Sequence, residues 1–375
     1  MGKLGLYIHI PFCKKKCLYC DFPSYSCMEK YMLDYVKALC LEIENKCKGK
    51  RFNTIFIGGG TPSYLSMEAW EILKETLHKV NKHEDCEFTV ECNPGSFDKD
   101  KLEVIKTAGA NRISIGLQAC QNELLASLGR IHNFSEFLKG FEMARNIGFK
   151  NINVDLMFAI PGQSFEQWKE TLEKVSNLNP EHISCYSLIV EEGTPFYKMK
   201  EEGKLALPEE DVEVKMYNFT VEFLRDNGYK QYEISNFSKE HKECKHNLIY
   251  WSMDEYIGCG ASAHSYFNNI RNKNESNVKR YIEKILSYED TSVEKHENST
   301  KDNMEEFMFL GLRKTNGIRI SDFKSKFNVN IYDIYGAVVN KYEKLGLIKI
   351  ESDKVFLTEK AVHISNTIMS DFILE

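Results

Sequence analysis

The stretch LGLYIHIPFCKKKCLYC, residues 4–20, joins a run of apolar residues directly to a loop with three cysteines. Residues 4–10 have the nearly continuous apolar character of a strand that is buried on both faces. Cys13, Cys17 and Cys20 follow at tight spacing, with three lysines between the first two. The loop is therefore a candidate site, and the chain that follows it indicates which fold carries it.

Five more strands are predicted after this loop, and helical patterns separate them along the chain. The predicted strands are residues 54–59, 87–92, 112–118, 152–160 and 182–190. Apolar strands that alternate with helices are typical of a parallel sheet covered by helices. No G-x-G-x-x-G opens a helix, which disfavours a dinucleotide-binding fold. We predict an α/β fold whose regular repeat forms a partial (β/α)6 barrel.

Polar and special residues gather at the carboxyl ends of the predicted strands. They are Cys13–Cys20, Gly58–Pro62, Glu91, Asn93, Gln118, Pro161–Gly162, Glu191 and Glu192, with Asp155 inside the fifth strand. In a (β/α) barrel this edge of the sheet is the active-site face. Their shared position predicts one site, independently of any family resemblance.

The β/α pattern ends near residue 235, and the predicted organisation has three parts. Residues 1–235 form the barrel with the cysteine loop. Residues 236–300, rich in Asn, Ser, His and Gly, form a connecting segment that ends in a polar linker near 288–303. Residues 301–375 show three helical patterns and a hairpin, which is the order of a winged helix. We therefore predict a smaller, mainly helical, winged-helix-like C-terminal domain.

The composition limits the possible classes of protein. The 375 residues are 42% hydrophobic and 28% charged, which is typical of a soluble globular protein. The net charge of −6 argues against nucleic-acid binding and against a winged-helix regulator with an iron–sulfur sensor. No apolar run approaches the ~20 residues that cross a bilayer, and the start lacks a signal-peptide layout. We predict a cytoplasmic protein with at most peripheral membrane contact.

Three explanations compete for the Cys-x3-Cys-x2-Cys spacing. A zinc site usually has four ligands, or three and an open catalytic position, and no fourth His or Cys lies at compact spacing. A redox pair would use Cys17 and Cys20 and leave Cys13 idle. A four-iron cluster is fully ligated by four thiolates. Three thiolates would leave one iron open to bind a substrate or cofactor.

FCKKKCLYC after the first strand, with GGGTP after the second, resembles the radical S-adenosylmethionine superfamily. The resemblance implies that Cys13, Cys17 and Cys20 hold a [4Fe–4S] cluster whose open iron binds S-adenosylmethionine. It also implies one-electron cleavage of the sulfonium to a 5′-deoxyadenosyl radical. GGGTP would present its backbone to the methionyl amino group. In such chemistry the cofactors react and the protein supplies positioning.

Further motifs narrow the resemblance. YIHIPFC, VECNPGS, SIGLQ, LGRIH and NVDLMFAIPGQ resemble, in order, the oxygen-independent coproporphyrinogen III oxidase group. YEISNF, CKHNLIYW and GCGASAHS resemble its haem chaperone branch, so the resemblance covers essentially the whole chain. It implies contacts to S-adenosylmethionine from Tyr7, Tyr19, Gly59, Gly60, Thr61 and Glu91. Gln118, Arg130 and Asp155 match positions around a second S-adenosylmethionine.

Two departures separate the chain from the oxidases of that group. The oxidases carry another cysteine shortly after the third cluster cysteine, where this chain has Phe22. They also carry a long N-terminal arm, whereas only twelve residues precede Cys13 here. Both differences favour a haem chaperone that delivers haem to acceptor proteins. The alternative is an enzyme that decarboxylates coproporphyrinogen III to protoporphyrinogen IX.

A haem chaperone needs an axial ligand, which in proteins is His, Cys, Met or Tyr. CKHNLIYW offers Cys244, His246 and Tyr250, and Trp251 is suited to stacking on a macrocycle. The resemblance associates His246, Tyr250 and Trp251 with haem. The alternative is that His246 only pins the joint between the barrel and the C-terminal domain. His264, in GASAHS, is a second candidate ligand.

The lysines of the cysteine loop allow three interpretations. Lys14, Lys15 and Lys16 would offset the negative charge of a cluster with three thiolates. They would also attract an acidic reductant, which the resemblance identifies as a flavodoxin or ferredoxin. In the third interpretation they form a solvated face of the loop. A homodimer is a further possibility under the resemblance.

Overall fold

The computed structural model describes residues 2–374, and its main feature is one twelve-stranded sheet. The strands are β1 (Leu4–Ile10), β2 (Phe52–Gly59), β3 (Lys82–Cys92), β4 (Arg112–Gln118), β5 (Ile152–Phe158), β6 (His182–Ser187), β7 (Lys230–Glu233), β8 (Asn236–Ser238), β9 (Glu255–Cys259), β10 (His264–Phe267), β11 (Ile270–Asn274) and β12 (Ser292–Glu297). Their spatial order is β12-β11-β10-β9-β1-β2-β3-β4-β5-β6-β8-β7.

The first six strands pair in chain order and all are parallel. The helices along this part of the chain and up to β12 are α1 (Met32–Cys47), α2 (Met67–Lys79), α3 (Lys99–Thr107), α4 (Asn122–Ser127), α5 (Phe134–Ile147), α6 (Phe165–Asn177), α7 (Pro195–Glu201), α8 (Glu210–Asp226), α9 (Lys245–Trp251) and α10 (Val278–Leu286). Parallel strands need such crossover helices. The predicted partial (β/α)6 barrel is confirmed.

The strands alternate between an apolar outer face and a polar inner face. On β1, Leu6, Ile8 and Ile10 are fully buried in the main hydrophobic core, together with residues of the covering helices. The intervening positions of the six parallel strands face inward and carry many buried polar groups. Those with the deepest burial are His9, Thr54, Glu87, Thr89, Arg112, Ser114, Asn153, His182 and Ser184. A strand reverses its side-chain direction at each residue, so this alternation places a polar interior inside the barrel.

Local capping sets where several covering helices begin. Ser66 accepts a hydrogen bond from the amide of Ala69 at the start of α2. Asn133 and Ser164 open α5 and α6 with full capping boxes. Such caps satisfy backbone donors that have no partner within the helix. The local sequence therefore sets the residues at which these helices begin.

The segment predicted to connect the two domains contributes strands to the main sheet. β9 pairs parallel with β1, and β10, β11 and β12 extend the sheet through antiparallel pairs. The expectation of a linker near 288–303 is wrong, because Ser292–Glu297 forms β12 at the sheet edge. Its side chains are almost all exposed, so polarity there reflects an edge strand and not a loop. The domain boundaries themselves stay predictions.

The C-terminal part of the chain has its own core and a separate three-stranded sheet. Its elements are α11 (Thr300–Gly311), β13 (Ile318–Arg319), α12 (Ile320–Phe327), α13 (Ile331–Lys344), β14 (Ile348–Glu351), β15 (Lys354–Leu357) and α14 (Ser365–Ser370). Short 3-10 helices at Glu29–Tyr31, Pro62–Tyr64 and Glu359–Ile364 complete the described chain. No helix within residues 2–374 combines the length and apolar character of a membrane span.

Candidate functional site

A cavity of about 460 Å³ lies at the carboxyl edge of the six parallel strands. Cys13, Cys17 and Cys20 all line it, together with residues from the ends of β2 to β6. None of the twelve cysteines forms a disulfide. The structure therefore brings the cysteine loop and the predicted strand-end residues to one place.

The cysteine loop is fixed to the neighbouring strand end by backbone hydrogen bonds. The amide of Cys13 donates to the carbonyl of Tyr25 at 3.0 Å. The amides of Gly60 and Thr61 donate to the carbonyls of Ile10 and Phe12, each at 2.8 Å. The GGGTP segment thus pairs with the end of β1 and holds the start of the loop in place.

The three thiols differ in exposure but share one wall of the cavity. Cys13 is buried, whereas Cys17 and Cys20 are half-buried. Burial raises the pKa of the Cys13 and Cys20 thiols. Within residues 2–374, no group of three or more His, Cys, Asp or Glu side chains forms a preassembled site for one metal ion. The donor set is three sulfur atoms beside an open volume, which fits the three-thiolate ligation of a cluster with one free iron.

Arg130 connects two of the cysteines to the strand ends. Its Nη1 donates to the sulfur of Cys17 at 3.4 Å, and its Nη2 donates to Oδ1 of Asn93 at 2.8 Å. Asn93 in turn donates to Oγ1 of Thr61 at 2.7 Å, and Thr61 lies 3.5 Å from the sulfur of Cys13. The positive charge of Arg130 opposes the rise that burial causes in the pKa of Cys13.

Glu91 and the glycines of GGGTP form the next wall of the cavity. Oε2 of Glu91 accepts a hydrogen bond from the amide of Gly59 at 3.1 Å. Burial, and then the charge of Asp155, raise the pKa of Glu91 to about 8. Gly59 has φ of +114°, and a Cβ there would lie 2.5 Å from the ring of His9. Glycine is therefore required at this position by both conformation and space.

Asp155 projects into the cavity from the middle of β5. Its carboxylate accepts hydrogen bonds from the hydroxyl of Ser114 at 2.9 Å and from the amide of Asn153 at 2.7 Å. Gln118, the last residue of β4, is buried with φ of +75° and lines the same volume. A non-glycine residue in this region of φ stores strain and is found more often at functional sites.

Eight of the nine residues predicted to contact S-adenosylmethionine line this one cavity. They are Tyr19, Gly59, Gly60, Thr61, Glu91, Gln118, Arg130 and Asp155. Tyr7 does not line it. Because the carbonyl of Pro23 accepts from Nε2 of His9 at 2.8 Å, Nδ1 of His9 accepts from the hydroxyl of Tyr7 at 2.9 Å. Tyr7 thus lies beneath the cavity and supports the strand that leads to the cysteine loop.

The cavity also contains residues that the sequence reasoning did not single out. Ser114, Met157 and Tyr186 occupy inward positions of β4, β5 and β6, and Ile189 follows β6. Phe22 and Ile189 are 62% and 63% exposed and form an apolar rim. The alternation of inward and outward positions along the predicted strands is the signal that would have identified the first three.

His246 and Tyr250 of CKHNLIYW lie at the opposite end of the barrel from the cavity, near the starts of β1 and β2. His246 is 1% exposed, and its Nδ1 lies 2.7 Å from the hydroxyl of Thr54. Its Nε2 lies 2.8 Å from the hydroxyl of Tyr250. Burial lowers the pKa of His246 to about 3, so the ring is neutral. Both ring nitrogens have partners, and in this conformation neither is free to bind iron.

Trp251 ends α9 on the side of the C-terminal helices. The guanidinium of Arg313 stacks over its ring at 4.5 Å. Cys244, at the start of the same motif, is buried, whereas His264 is exposed on β10. The structure therefore places the candidate haem ligands apart from the candidate cofactor site and at different depths.

Two family models match the chain. The Radical SAM superfamily matches residues 7–175, and the HemN C-terminal domain matches residues 298–364. Among solved structures, coproporphyrinogen III oxidase (HemN) from Escherichia coli superposes with a TM-score of 0.86 at 22% sequence identity. The match covers 99% of this chain and 90% of that chain, and it establishes the shared fold.

Curated relatives match over almost the full length. The heme chaperone HemW of Bacillus subtilis (strain 168) is 40% identical over 98% of this chain and 99% of that protein. The heme chaperone HemW of Lactococcus lactis is 35% identical over 98% of this chain and 97% of that protein. Identity at this level and over these lengths, on a barrel with three cysteines at its site, decides the family: the chain belongs to the HemW family of radical SAM proteins.

Proposed function

We propose that this protein is a haem chaperone that binds haem, carries a [4Fe–4S] cluster with S-adenosylmethionine, and delivers haem to acceptor proteins. The observation that carries the proposal is the nearly full-length relationship to proteins named heme chaperone HemW. The cavity with its three cysteines supports the cofactor part of the proposal. We propose Cys13, Cys17 and Cys20 as the cluster ligands.

The chain's own residues would position and balance this cofactor pair. When bound, the cluster supplies one electron to S-adenosylmethionine at its open iron. Arg130 lies beside Cys17 and offsets the charge of the thiolates. The backbone of Gly59 and Gly60, with Thr61, borders the cavity beside the cysteine loop. Asp155 offers carboxylate oxygens, and Glu91 offers a carboxyl group, as hydrogen-bond partners for the hydroxyl and amino groups of S-adenosylmethionine.

His246 is proposed as a haem ligand, with Tyr250 and Trp251 beside it. A neutral imidazole is the form that coordinates iron, and burial keeps His246 neutral. Its hydrogen bonds to Thr54 and Tyr250 must break before it binds. The proposal therefore includes an outward movement of α9 on haem binding.

The reductant is proposed to be an acidic flavodoxin or ferredoxin that approaches the cysteine loop. Lys14 and Lys15 are exposed, whereas Nζ of Lys16 donates to the carbonyl of Phe22 at 2.8 Å. Only the first two are therefore free for docking. Haem acceptors and a homodimer belong to the same proposal and rest on the family relationship alone.

One anaerobic experiment tests the proposed function. The reconstituted protein is mixed with reductant, S-adenosylmethionine and coproporphyrinogen III, and product is assayed; a parallel sample is titrated with haem. We expect a saturable Soret change and no protoporphyrinogen IX. Robust turnover would establish the decarboxylase instead, and absence of haem binding would end the chaperone proposal.

The cluster assignment has its own control within the chain. Replacing Cys13, Cys17 and Cys20 by Ala should abolish the iron and sulfide content of the reconstituted protein. Cys27→Ala removes an exposed thiol from the same region and should leave both contents unchanged. Equal iron content in the triple variant and the wild type would contradict the assignment.

A further inference from the structure

α9 closes the amino-terminal mouth of the barrel. The register of the first three strands aligns Gly5 with Thr54 and Thr54 with Glu87 near the amino-terminal end of the barrel. His246 enters at this level, and a Cβ on Gly5 would lie 3.1 Å from its ring. The ring stacks on Phe56 with a centroid distance of 5.2 Å. The side chain of His246 therefore lies inside the barrel, in space that the absence of a side chain on Gly5 leaves open.

Glu87 holds the start of this helix. One carboxylate oxygen accepts from the amide of His246 at 3.1 Å and from the sulfur of Cys244 at 3.5 Å. The other accepts from the amide of Lys245 at 3.1 Å. Glu87 is 6% exposed and belongs to β3, so the helix start is anchored by a side chain of the barrel wall. A carboxylate at a helix N-terminus satisfies donors that the helix leaves free.

A second anchor comes from Tyr232 on β7, whose hydroxyl contacts both His182 of β6 and the start of α9. Its hydroxyl accepts from the amide of Cys244 at 3.2 Å and lies 2.8 Å from Nε2 of His182. Nδ1 of His182 lies 2.6 Å from Oδ1 of Asn153 and therefore donates to it. Nε2 then accepts from Tyr232. Because Asn153 also donates to Asp155, this chain of hydrogen bonds runs from α9 to the cofactor cavity.

These contacts bear on haem binding, because they must be released before His246 reaches solvent. The helix has only seven residues, so little of its stability is intrinsic. Ile249 is buried and Arg313 stacks on Trp251, but the first turn of the helix is held by Glu87 and Tyr232. Loss of these anchors would free the N-terminal turn without removing His246 or Tyr250.

We propose that Glu87 is a positioning residue that holds α9 in the mouth of the barrel and so sets the rate at which His246 becomes accessible to haem iron. This inference deepens the proposed function and rests on it for the identity of the ligand. Tyr232 acts in the same way through the amide of Cys244. Neither residue contacts haem; both act through α9.

The test compares Glu87→Gln with a matched control, Glu42→Gln. Glu42 is also a buried carboxylate, 3% exposed, and its hydrogen-bond partners lie outside α9: it accepts from Gly260, Asn274, Tyr281 and Thr291 and pairs with Lys46. The full-length, cluster-reconstituted proteins are mixed with ferric haem, and the Soret change is followed by stopped flow. Amide hydrogen exchange across residues 244–251 is measured on the same samples without haem.

Glu87→Gln should speed both haem association and exchange of the α9 amides by roughly tenfold, the effect of losing one hydrogen bond to a charged group. The final Soret spectrum should match the wild type, since the ligand is unchanged. Glu42→Gln should leave both rates near those of the wild type. If Glu87→Gln does not fold, Tyr232→Phe serves as the second variant. It removes the acceptor for the amide of Cys244 and should also speed haem association and exchange of the α9 amides.

The outcomes separate the inference from the proposed function. Unchanged α9 exchange in both Glu87→Gln and Tyr232→Phe overturns the positioning role, whether or not haem binds. Faster exchange with no haem binding in any variant, wild type included, overturns the proposed function and leaves the anchoring of α9 standing. Faster exchange with unchanged haem association shows that His246 is not the ligand that haem must reach.

Discussion

Arg130 is the side chain on which the contacts of the cysteine loop converge. It donates from two different nitrogens, to the sulfur of Cys17 and to the amide oxygen of Asn93. Its Nε is buried without a hydrogen-bond partner among the described residues. A planar guanidinium serves two partners at fixed angles, which a lysine ammonium does not reproduce. Arg130 therefore links the cysteine loop to the end of β3 through two directed hydrogen bonds as well as through its charge.

Arg130→Lys should lower the affinity for S-adenosylmethionine by roughly tenfold or more, because one charge-assisted hydrogen bond is lost. Equilibrium dialysis of the anaerobic, reconstituted protein measures this affinity. Arg225→Lys changes an exposed arginine on α8 and serves as the control. Equal affinities in the two variants would contradict the role of Arg130.

Glu91 makes the stability of the chain depend on pH. Its pKa is raised from the ordinary 4.5 to about 8, so the folded chain holds one more proton than the unfolded chain between these values. Stability contributed by the protonated form is complete at low pH and declines as pH rises through this window. Glu91→Gln cannot ionise and lacks that decline.

The free energies of unfolding of Glu91→Gln and the wild type are measured with urea near pH 5.5 and near pH 8.5. Relative to the wild type, the variant should be more stable by about 1–3 kcal/mol at the higher pH than at the lower pH. The measurement uses protein without S-adenosylmethionine, so that ligand binding does not contribute. If the wild type instead gained stability relative to the variant at the higher pH, Glu91 would be ionised in the folded chain.

At the scale of elements, the end of β2 determines where the cysteine loop lies. The glycines of GGGTP let the backbone of this strand approach the end of β1. A Cβ on Gly60 would lie 2.8 Å from the carbonyl oxygen of Phe12 and 3.1 Å from the sulfur of Cys13. Both neighbours belong to the cysteine loop, and the first is backbone that cannot turn away.

Gly60→Ala should therefore displace the first cysteine, with lower iron incorporation and a loss of about 1–3 kcal/mol in unfolding free energy. Iron analysis after reconstitution and urea unfolding measure the two effects. Gly336→Ala makes the same change on α13, where the nearest atom to the new Cβ is 3.7 Å away. Full iron incorporation in Gly60→Ala would show that the strand end yields without moving the loop.

At the scale of the whole molecule, YEISNF joins the barrel to the C-terminal part. The amide of Ile234 donates to the carbonyl of Arg313 at 3.2 Å, and the amide of Thr315 donates to the carbonyl of Tyr232 at 3.1 Å. Burial raises the pKa of Glu233, whereas the positive charge of Arg313 opposes that rise. The guanidinium of Arg313 also stacks on Trp251, so one side chain acts on Glu233 of the motif through its charge and contacts the end of α9.

Arg313→Ala should lower the free energy of unfolding by about 1–3 kcal/mol, because the buried Glu233 loses its nearby positive charge and Trp251 loses its stacked partner. Urea unfolding measures the change. Lys301→Ala removes an exposed charge from α11 and should have little effect. Equal stability of the two variants would show that the junction does not depend on Arg313.

Strands with strong burial could be predicted from the sequence, and strands without it could not. Leu4–Ile10 and Arg112–Gln118 match their predicted ranges because large aliphatic residues recur at every second position along each run. β3 begins at Lys82, five residues before the predicted start, because its first residues are polar and exposed. The same polar, exposed character explains why the sequence predicts a linker where β12 forms. Because an exposed edge strand is held by backbone hydrogen bonds and not by buried side chains, its sequence shows no hydrophobic pattern.

The sequence by itself determined the order of the first six strands and the helices between them, the partial barrel and the three-cysteine loop, since these follow from periodicity and local spacing. Only the tertiary structure decided that Tyr7 supports β1 beneath the cavity and that His246 is enclosed by Thr54 and Tyr250. Only the tertiary structure shows that Glu87, which is distant from α9 in the sequence, binds the start of this helix. The physical reason is that motif spacing records which residues are near along the chain, whereas burial and hydrogen-bond partners depend on how distant segments meet.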